Sequence, residues 1–402
     1  MKMLKIYGMM MLGAMLWLTS CTSEDATKEV APQEAIAISF GCNYDDEEDI
    51  TKNTTRAGYE GAMNTEDLYT TGFGAMASVT AGTPPTYDNK PNLMYNQEVE
   101  YTHVGDMENP LTGYWSYQPV KYWPTDLTHC YISAYAPYMD PADLEGLPAD
   151  ATGIIGLSAN SEAPYVDYRR CDNPQNVVDL LWYYKNYGAE DKIPGLGTAA
   201  AGKLNMKMRH ALARLELKVA LASDVVLDAG TTKVLIEKIT LTGKMAKTGR
   251  LHLYEQTTEG SGNDIKYYPV WSDQTYDLDH SIKIKNKDND SESYGIIDSQ
   301  VRYIPGLPYA WQPEGLKVYD AEVEGKNYLN ALSTGDRIGY IYLIPQTTLS
   351  LKLNVKYHKI TSAGVDTEGE KSIDASPDPT PISISPLYGN KTYTLTIRLS
   401  EI

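Results

Sequence analysis

The residue types that most often bind metal ions or transfer protons are dispersed along this sequence. Its histidines form neither an HExxH motif nor another spacing that would place two ligands on one ion, so each is interpreted as a surface or packed residue. No nucleophile-elbow or phosphate-binding glycine motif lies between a strand and a helix. The sequence therefore predicts no catalytic, cofactor-binding or metal-binding residues, and a protein that is not an enzyme. The histidines are His103, His129, His210, His252, His280 and His358.

One acidic segment begins like a calcium-binding loop. Asp288, Asp290 and Glu292 have the alternating spacing of the first EF-hand ligands. However, Ser293 occupies the position that requires glycine, and Ser299 occupies the position of the bidentate glutamate. A solvated loop is the preferred interpretation, although paired carboxylates elsewhere stay open because any of the 53 acids could meet in space.

The four cysteines contain no CxxC pair. Cys21 follows an apolar leader and is discussed below, which leaves Cys42, Cys130 and Cys171. A disulfide between Cys130 and Cys171 and three separate buried thiols are equally compatible with the sequence.

Most of the aromatic residues are tyrosines, with 32 Tyr against 6 Trp and 2 Phe. Trp115, Tyr117, Tyr122 and Trp123 lie within nine residues and could form a platform on which sugar rings stack. Because Trp115 and Tyr117 would share one face of a strand, packing in the core is the favoured interpretation.

The first twenty residues have the layout of an export signal. Two lysines precede the apolar stretch Ile6 to Leu18, which is too short to span a bilayer comfortably. Leu18 to Cys21 resembles a bacterial lipobox, which implies cleavage before Cys21 and acylation of its thiol. Residues 21–35 are small, charged and proline-containing, and predict a flexible tether.

Composition narrows the classes of function. The chain has 402 residues, and its 42% hydrophobic and 22% charged content is typical of globular proteins. With 35 basic and 53 acidic residues, its net charge of −18 repels phosphate backbones. Nucleic-acid binding is therefore not expected.

A hydrophobic period of two runs through most of the chain. Leu351, Leu353, Val355 and Tyr357 alternate with polar residues, which predicts a half-buried strand. Many such segments separated by turn residues indicate an all-β fold of antiparallel sandwich or barrel type. The other candidate strands are Ile36 to Phe40, Phe73 to Val79, Cys130 to Tyr135, Val178 to Tyr184, Leu215 to Val219, Val234 to Leu241, Tyr340 to Ile344 and Tyr393 to Leu399.

The segment from Ile193 to Gly202 is poor in charges and in strand-forming residues, and it separates regions of similar size. It is the predicted boundary between an N-terminal domain, residues 36–197, and a C-terminal domain, residues 203–402. Each region is long enough for one elaborated sandwich.

Several short segments, taken in order, resemble the fimbrillin family of Bacteroidetes in its Mfa-like branch. Each is weak by itself, but together they cover most of the chain after residue 35. The segments are Leu18 to Cys21, Thr55 to Ala57, Leu93 to Asn96, Trp115 to Pro124, Ala134 to Tyr138, Asp179 to Trp182, His210 to Val219, Ile344 to Gln346 and Gly389 to Leu399.

The resemblance implies two tandem transthyretin-like β-sandwich domains, no catalytic activity, and a role as a stalk, tip, accessory or anchor subunit of a type V pilus that contributes to adhesion. It implies an outer-membrane, surface-exposed lipoprotein precursor, other pilus subunits as partners, and a host or bacterial surface ligand. It also implies cleavage by an arginine-specific protease between Arg56 and Ala57. Their surroundings, NTTRAGY, are small and polar, as in a good protease substrate.

A mechanism of assembly follows from such a cut. If the strand carrying Ile36, Ile38 and Phe40 leaves, it exposes an apolar groove and unpaired backbone groups. Refilling the groove with a strand of another subunit is worth roughly 5 to 9 kcal/mol before entropic costs. Backbone hydrogen bonds would supply affinity and side-chain pockets would supply register.

Two questions stay open at this stage. The alternating residues Tyr393, Leu395, Ile397 and Leu399 either form a donor strand for another subunit or complete the second sandwich. The alternative function is a surface lipoprotein that binds glycans through exposed tryptophans, with the candidates Trp115, Trp123, Trp271 and Trp311.

Overall fold

The computed structural model of the protein describes fourteen stretches of the chain and one single residue. They are residues 37–44, 63, 65–80, 90–104, 113–123, 129–171, 177–187, 203–221, 233–261, 265–285, 321–323, 326–330, 336–360, 366–373 and 382–399.

Strands dominate these residues and confirm the all-β class. The strands are β1 Ser39–Tyr44, β2 Phe73–Thr80, β3 Met94–His103, β4 Gly113–Ser116, β5 His129–Ala136, β6 Gly153–Leu157, β7 Tyr165–Arg169, β8 Leu181–Tyr187, β9 Lys203–His210, β10 Ala213–Leu221, β11 Lys233–Glu259, β12 Lys266–Lys285, β13 Ala321–Val323, β14 Lys326–Asn330, β15 Asp336–Leu343, β16 Leu349–Ile360, β17 Asp366–Ile373, β18 Ile382–Ile384 and β19 Lys391–Leu399. Two short helices are described, α1 Thr65–Thr71 and α2 Pro141–Leu144.

The first sheet has seven strands in the order β1-β9-β8-β5-β2-β3-β4. Its inner face holds a core of apolar side chains that includes Leu68 of α1, Phe73 and Leu204, each 1% exposed or less. Strand β1, which comes first along the chain, therefore lies at one end of the sheet beside a strand that follows about 160 residues later in the sequence.

The remaining strands form two further sheets. One has the order β15-β10-β19, and the other follows the path β13-β14-β11-β16-β17, with β12 and β7 also paired to β11, β18 to β16 and β6 to β7. In β16 the predicted alternation is confirmed, because Leu351, Leu353, Val355 and Tyr357 are buried whereas Lys352 is exposed. The two longest strands, β11 and β12, pair along most of their length.

Two pairings depart from the expected antiparallel arrangement. Strand β1 runs parallel to β9, and β19 runs parallel to β10. Strands joined by a short turn must be antiparallel, but these partners are far apart in the sequence, so parallel pairing is available to them. Both parallel strands contact one nearly continuous segment, residues 203–221.

The two halves of the sequence share one of the cores. Strand β7 pairs with β11 from Thr248 to His252, and the second core cluster combines Tyr135 and Tyr168 with Leu251 and Ile344. The predicted boundary at residues 193–202 lies outside the described residues. The division into two transthyretin-like sandwiches therefore stays a prediction.

Candidate functional site

The strand expected to be exchangeable begins three residues later than predicted. Strand β1 starts at Ser39, and among the described residues before it Ala37 forms an isolated bridge with Tyr122. Its six residues pair in parallel with β9, from Ser39 opposite Lys203 to Tyr44 opposite Met208. On that side, β1 is held by an ordinary backbone ladder.

The side chains of this segment alternate between core and solvent. Ile38, Phe40 and Cys42 are 3%, 4% and 7% exposed, whereas Ala37 and Ser39 face solvent. The predicted inward positions Ile38 and Phe40 are therefore buried. The third predicted position, Ile36, lies outside the described residues.

Phe40 occupies an aromatic pocket. Its ring packs edge to face on Phe73, with centroids 5.5 Å apart, and on Tyr117, with centroids 5.3 Å apart. Edge-to-face pairs of this kind contribute about 0.5 to 1.5 kcal/mol beyond the burial of their surface. The Phe40 ring therefore connects β1 to β2 through Phe73.

The other side of β1 is held mainly by side chains. The hydroxyl of Tyr117 donates to the carbonyl oxygen of Ile38 at 2.9 Å, and the indole Nε1 of Trp115 donates to that of Cys42 at 3.4 Å. The backbone N–H of Ile38 donates to the carbonyl oxygen of Lys121 at 2.9 Å. These contacts use the backbone of β1, so another strand with the same backbone path could make them.

Of the three cysteines that the sequence left open between a disulfide and separate buried thiols, Cys42 and Cys130 are buried and Cys171 is partly buried. Cys42 and Cys130 are both free, so the bridge between Cys130 and Cys171 that the sequence left open does not form. Burial raises the pKa of the Cys42 thiol far above its ordinary range and that of Cys130 to about 12. Because the thiolate is the reactive form, both buried thiols are expected to react slowly in the folded chain.

After residues 45–62, the next described residue, Met63, contacts a buried pair of side chains, Asp179 and His210. The backbone N–H of Met63 donates to Oδ2 of Asp179 at 2.8 Å, and the same oxygen lies 2.6 Å from Nδ1 of His210. Both side chains of the pair are at most 2% exposed. Met63 is thus fixed seven residues after Arg56, while β1 ends twelve residues before Arg56.

The second candidate segment, predicted from Tyr393 to Leu399, forms most of β19. All nine residues of β19 pair with β10, from Lys391 opposite Ala213 to Leu399 opposite Leu221. The hydroxyl of Tyr393 accepts a hydrogen bond from the backbone N–H of Tyr388 at 2.8 Å. This strand is therefore integrated into a sheet of its own chain.

The prediction that exposed tryptophans bind glycans is wrong for Trp115 and Trp123. Trp115 and Trp123 are 9% and 4% exposed, because both pack into the core of the first sheet, and Tyr117 is buried with them. Trp271 is half-buried and donates its Nε1 to the carbonyl oxygen of Ala211 at 3.2 Å. Of the four clustered aromatics, Tyr122 is the exposed one.

Several predicted positions lie outside the described residues. They are Cys21, Ile36, Arg56, Ala57, Asp288, Asp290, Glu292 and Trp311.

Sequence reasoning missed the strand that receives β1. In β9, the buried residues Leu204, Met206 and Met208 alternate with the exposed residues Lys203, Asn205 and Lys207. This period of two was a usable signal for a strand. The pairing of β1 with β9 had no such signal, since it depends on register between distant segments.

Comparison with known proteins places the chain in a family. A model of fimbrillin-like proteins matches residues 55–402, which is most of the sequence. The chain belongs to the fimbrillin-like family. Membership supports a fimbrial or adhesin-type subunit at the cell surface or in a pilus, associated with other pilus subunits.

Solved structures similar to this fimbrillin-like chain include a "putative cell adhesion protein" of Bacteroides uniformis, 12% identical over 91% of this chain and 94% of that one, with a TM-score of 0.38. Another from Parabacteroides distasonis, with the same description, is 10% identical over 90% and 87%, with a TM-score of 0.37. Because these scores are low, the assignment rests on the family match. No curated protein matches the sequence.

In the described part of this fimbrillin-like chain, no helix has the length and apolar character needed to cross a bilayer.

Proposed function

We propose that this chain is a pilus subunit of type V class in which a strand of a neighbouring subunit replaces β1 after cleavage between Arg56 and Ala57. The observation that carries the proposal is the position of β1. It lies at the end of its sheet, buries Phe40 together with the preceding residue Ile38, and is joined along the chain to the following elements through residues 45–62, which contain Arg56.

Cleavage would leave β1 held by non-covalent contacts alone. The buried pair of Asp179 and His210 would keep Met63 and the following helix in place, because Met63 lies on the other side of the cut. The groove would then present the backbone of β9, the hydroxyl of Tyr117 and the pocket around Phe73 to an incoming strand. This is recognition by strand addition.

The precursor is proposed to be an outer-membrane lipoprotein held by acylated Cys21. A double-tailed lipid anchors a protein without a spanning helix. Because Cys21 precedes Arg56, the cut that loosens β1 would also release the subunit from the membrane. Mass spectrometry of the envelope protein, compared with a Cys21→Ser variant, tests the anchor.

Strand β19 is proposed to be a structural strand and not the donor. Extracting it would break nine residue pairs with β10. The donor for the β1 groove is then a strand of another subunit, whose inward positions match those of Ile38, Phe40 and Cys42.

The decisive experiment measures replacement of β1. The purified chain is cut with an arginine-specific protease and incubated with a labelled peptide of residues 36–44. We expect the cut protein to incorporate the peptide and the uncut protein to exclude it. An Arg56→Ala variant should stay uncut and inert, whereas Lys52→Ala serves as a matched control and should behave as the native chain. Equal incorporation by cut and uncut protein would contradict the proposal.

A further inference from the structure

A polar face on β7, β11 and β12 lies outside the strand-exchange groove. In the sheet register, Arg250 of β11 lies opposite both Asp167 of β7 and Ser272 of β12, and His252 lies opposite Tyr165. These side chains are half-buried. Two neighbouring strands thus bring a serine, a histidine and an arginine onto one face, although the serine and histidine are 20 residues apart in the sequence.

The serine and histidine form a hydrogen-bonded pair. Oγ of Ser272 lies 2.7 Å from Nε2 of His252, and the hydroxyl oxygen of Tyr254 lies 3.1 Å from Nδ1 of the same ring. Nucleophilic serines in proteins are activated by such a contact with a base that a third group orients.

The tautomer of His252 decides the direction of these bonds. When the Tyr254 oxygen accepts Nδ1–H of His252, the other ring nitrogen carries no proton. Nε2 then carries the lone pair and accepts the proton of Ser272, which is the tautomer a general base requires.

A fixed cation completes the face. The guanidinium of Arg250 binds Asp167 through two bonds, from Nε at 2.8 Å and NH2 at 3.0 Å. It also stacks on the ring of Tyr165 at 3.6 Å and lies 3.4 Å from a carboxylate oxygen of Asp273. Arg250 lies opposite Ser272 in the sheet register, and each of its three guanidinium nitrogens contacts a carboxylate oxygen of Asp167 or Asp273, so it fixes the geometry of this face.

The backbone is irregular at the same place. The register of β11 and β12 shifts between Thr248 and Arg250 and again between His252 and Gln256. Asp273, next to Ser272, has φ of 48°, a left-handed conformation that is uncommon for residues other than glycine. Bulges and strained residues of this kind re-aim side chains and concentrate at functional sites.

We propose that Ser272 is a nucleophile activated by His252 and that it accepts an acyl group from an activated ester bound at this face. In the step, Oγ of Ser272 bonds to the carbonyl carbon of the ester while its proton passes to Nε2 of His252. The bond to the leaving alkoxide then breaks, and the alkoxide takes that proton to leave as the alcohol. The products are acyl-Ser272, neutral His252 and one alcohol.

The electrostatic environment keeps this base ready at neutral pH. The pKa of His252 is lowered, and burial is the largest cause. The charge of Arg250 also lowers this pKa, whereas the carboxylates of Glu255, Asp273 and Asp167 raise it. Tyr165 and Tyr254 also face the ring. Reactivity should therefore increase with pH as the imidazolium loses its proton, with a midpoint below the ordinary histidine value of about 6.5.

The test uses the purified full chain and p-nitrophenyl acetate, with the acetylated residue located by peptide mass spectrometry. We expect stoichiometric acetylation of Ser272 and none at Ser385, an exposed serine that donates to the carbonyl oxygen of Thr347 instead of to a histidine. His252→Gln should slow acetylation of Ser272 by about 100-fold. Acetylation of both serines at equal rates, or a rate unchanged by His252→Gln, would overturn the proposal.

Tyr254→Phe tests the positioning role of the tyrosine separately. Loss of its oxygen removes the acceptor of Nδ1–H, so we expect a slower reaction and a shifted midpoint of the pH profile. A midpoint that stays in place would contradict the proposed relay. Unfolding midpoints of all variants, measured by circular dichroism, show whether a lost reaction reflects a lost fold, and Ser272→Ala supplies the unreactive reference.

Discussion

Phe40 and Phe73, the two phenylalanines of the chain, pack edge to face with ring centroids 5.5 Å apart. The sequence uses tyrosine for 32 of its aromatic residues, so the two rings without a hydroxyl are placed together. A tyrosine at either position would have to bury its hydroxyl in this apolar pocket or find it a partner. The contact joins the proposed exchangeable strand to the strand that follows the cleavage segment.

Phe40→Ala tests how much this contact stabilises the fold. The change leaves a cavity between β1 and Phe73, and we expect the free energy of unfolding to fall by about 3 to 5 kcal/mol in urea denaturation. Ser39→Ala changes the neighbouring solvent-facing side chain and should have an effect within about 0.5 kcal/mol. Equal effects of the two substitutions would show that β1 does not contribute its inward face to the core.

The parts of this fold that the sequence predicted are those with local patterns. Alternation located β16, and it placed β2 and β5 to within one residue at each end. It gave only the first part of β11, because the later part, which includes Lys247 and Arg250, does not keep a strict alternation of polar and apolar residues. The two helices are too short to show a helical stripe.

The candidate sites divide in the same way. The alternation of residues 36–40 predicted the burial of Phe40. The contacts of Tyr117 and Trp115 with the backbone of residues 38–42 instead depend on how distant parts of the chain pack together. The contact of His252 with Ser272 depends on register shifts in a long hairpin. No property of a single segment encodes such juxtapositions.

Tyr117→Phe should loosen β1 while leaving its aromatic pocket filled. The variant removes the hydroxyl that donates to Ile38 and accepts from the backbone N–H of Lys121 at 3.1 Å. We expect a loss of about 1 to 3 kcal/mol and faster hydrogen exchange in residues 37–44. Tyr122→Phe alters a ring that is 51% exposed and is the matched control. If both variants exchange like the native chain, the hydroxyl of Tyr117 does not hold β1.

Asp179→Ala tests the buried pair that fixes Met63. Removing the carboxylate takes the acceptor from the N–H of Met63 and removes the oxygen that lies 2.6 Å from Nδ1 of His210. Leaving the buried N–H of Met63 without its acceptor should cost about 1 to 3 kcal/mol in urea denaturation. Asp150→Ala, at an exposed position of the same sequence half, should cost less than about 0.5 kcal/mol. Similar costs for the two variants would indicate that the pair is not a structural tie.

The buried thiol of Cys130 predicts a loss of stability at alkaline pH. Burial raises its pKa from 9.0 to about 12, so the unfolded chain loses the thiol proton at lower pH than the folded chain. The stabilisation from this group is complete below about pH 9 and is lost as the pH rises toward about 12. A Cys130→Ala variant should therefore show a flatter decrease of its unfolding midpoint over this range, and an unchanged slope would contradict the assignment.

Cys42 can report departure of β1, because its thiol is buried as part of the strand's inward face. In the intact chain, a thiol-reactive disulfide reagent should modify neither Cys42 nor Cys130. After cleavage at Arg56 and displacement by a peptide of residues 36–44 in which Cys42 is replaced by Ser, the original Cys42 should react quickly while Cys130 stays protected. Simultaneous reaction of both thiols would indicate global unfolding, and continued protection of Cys42 would show that the cut strand is not exchanged.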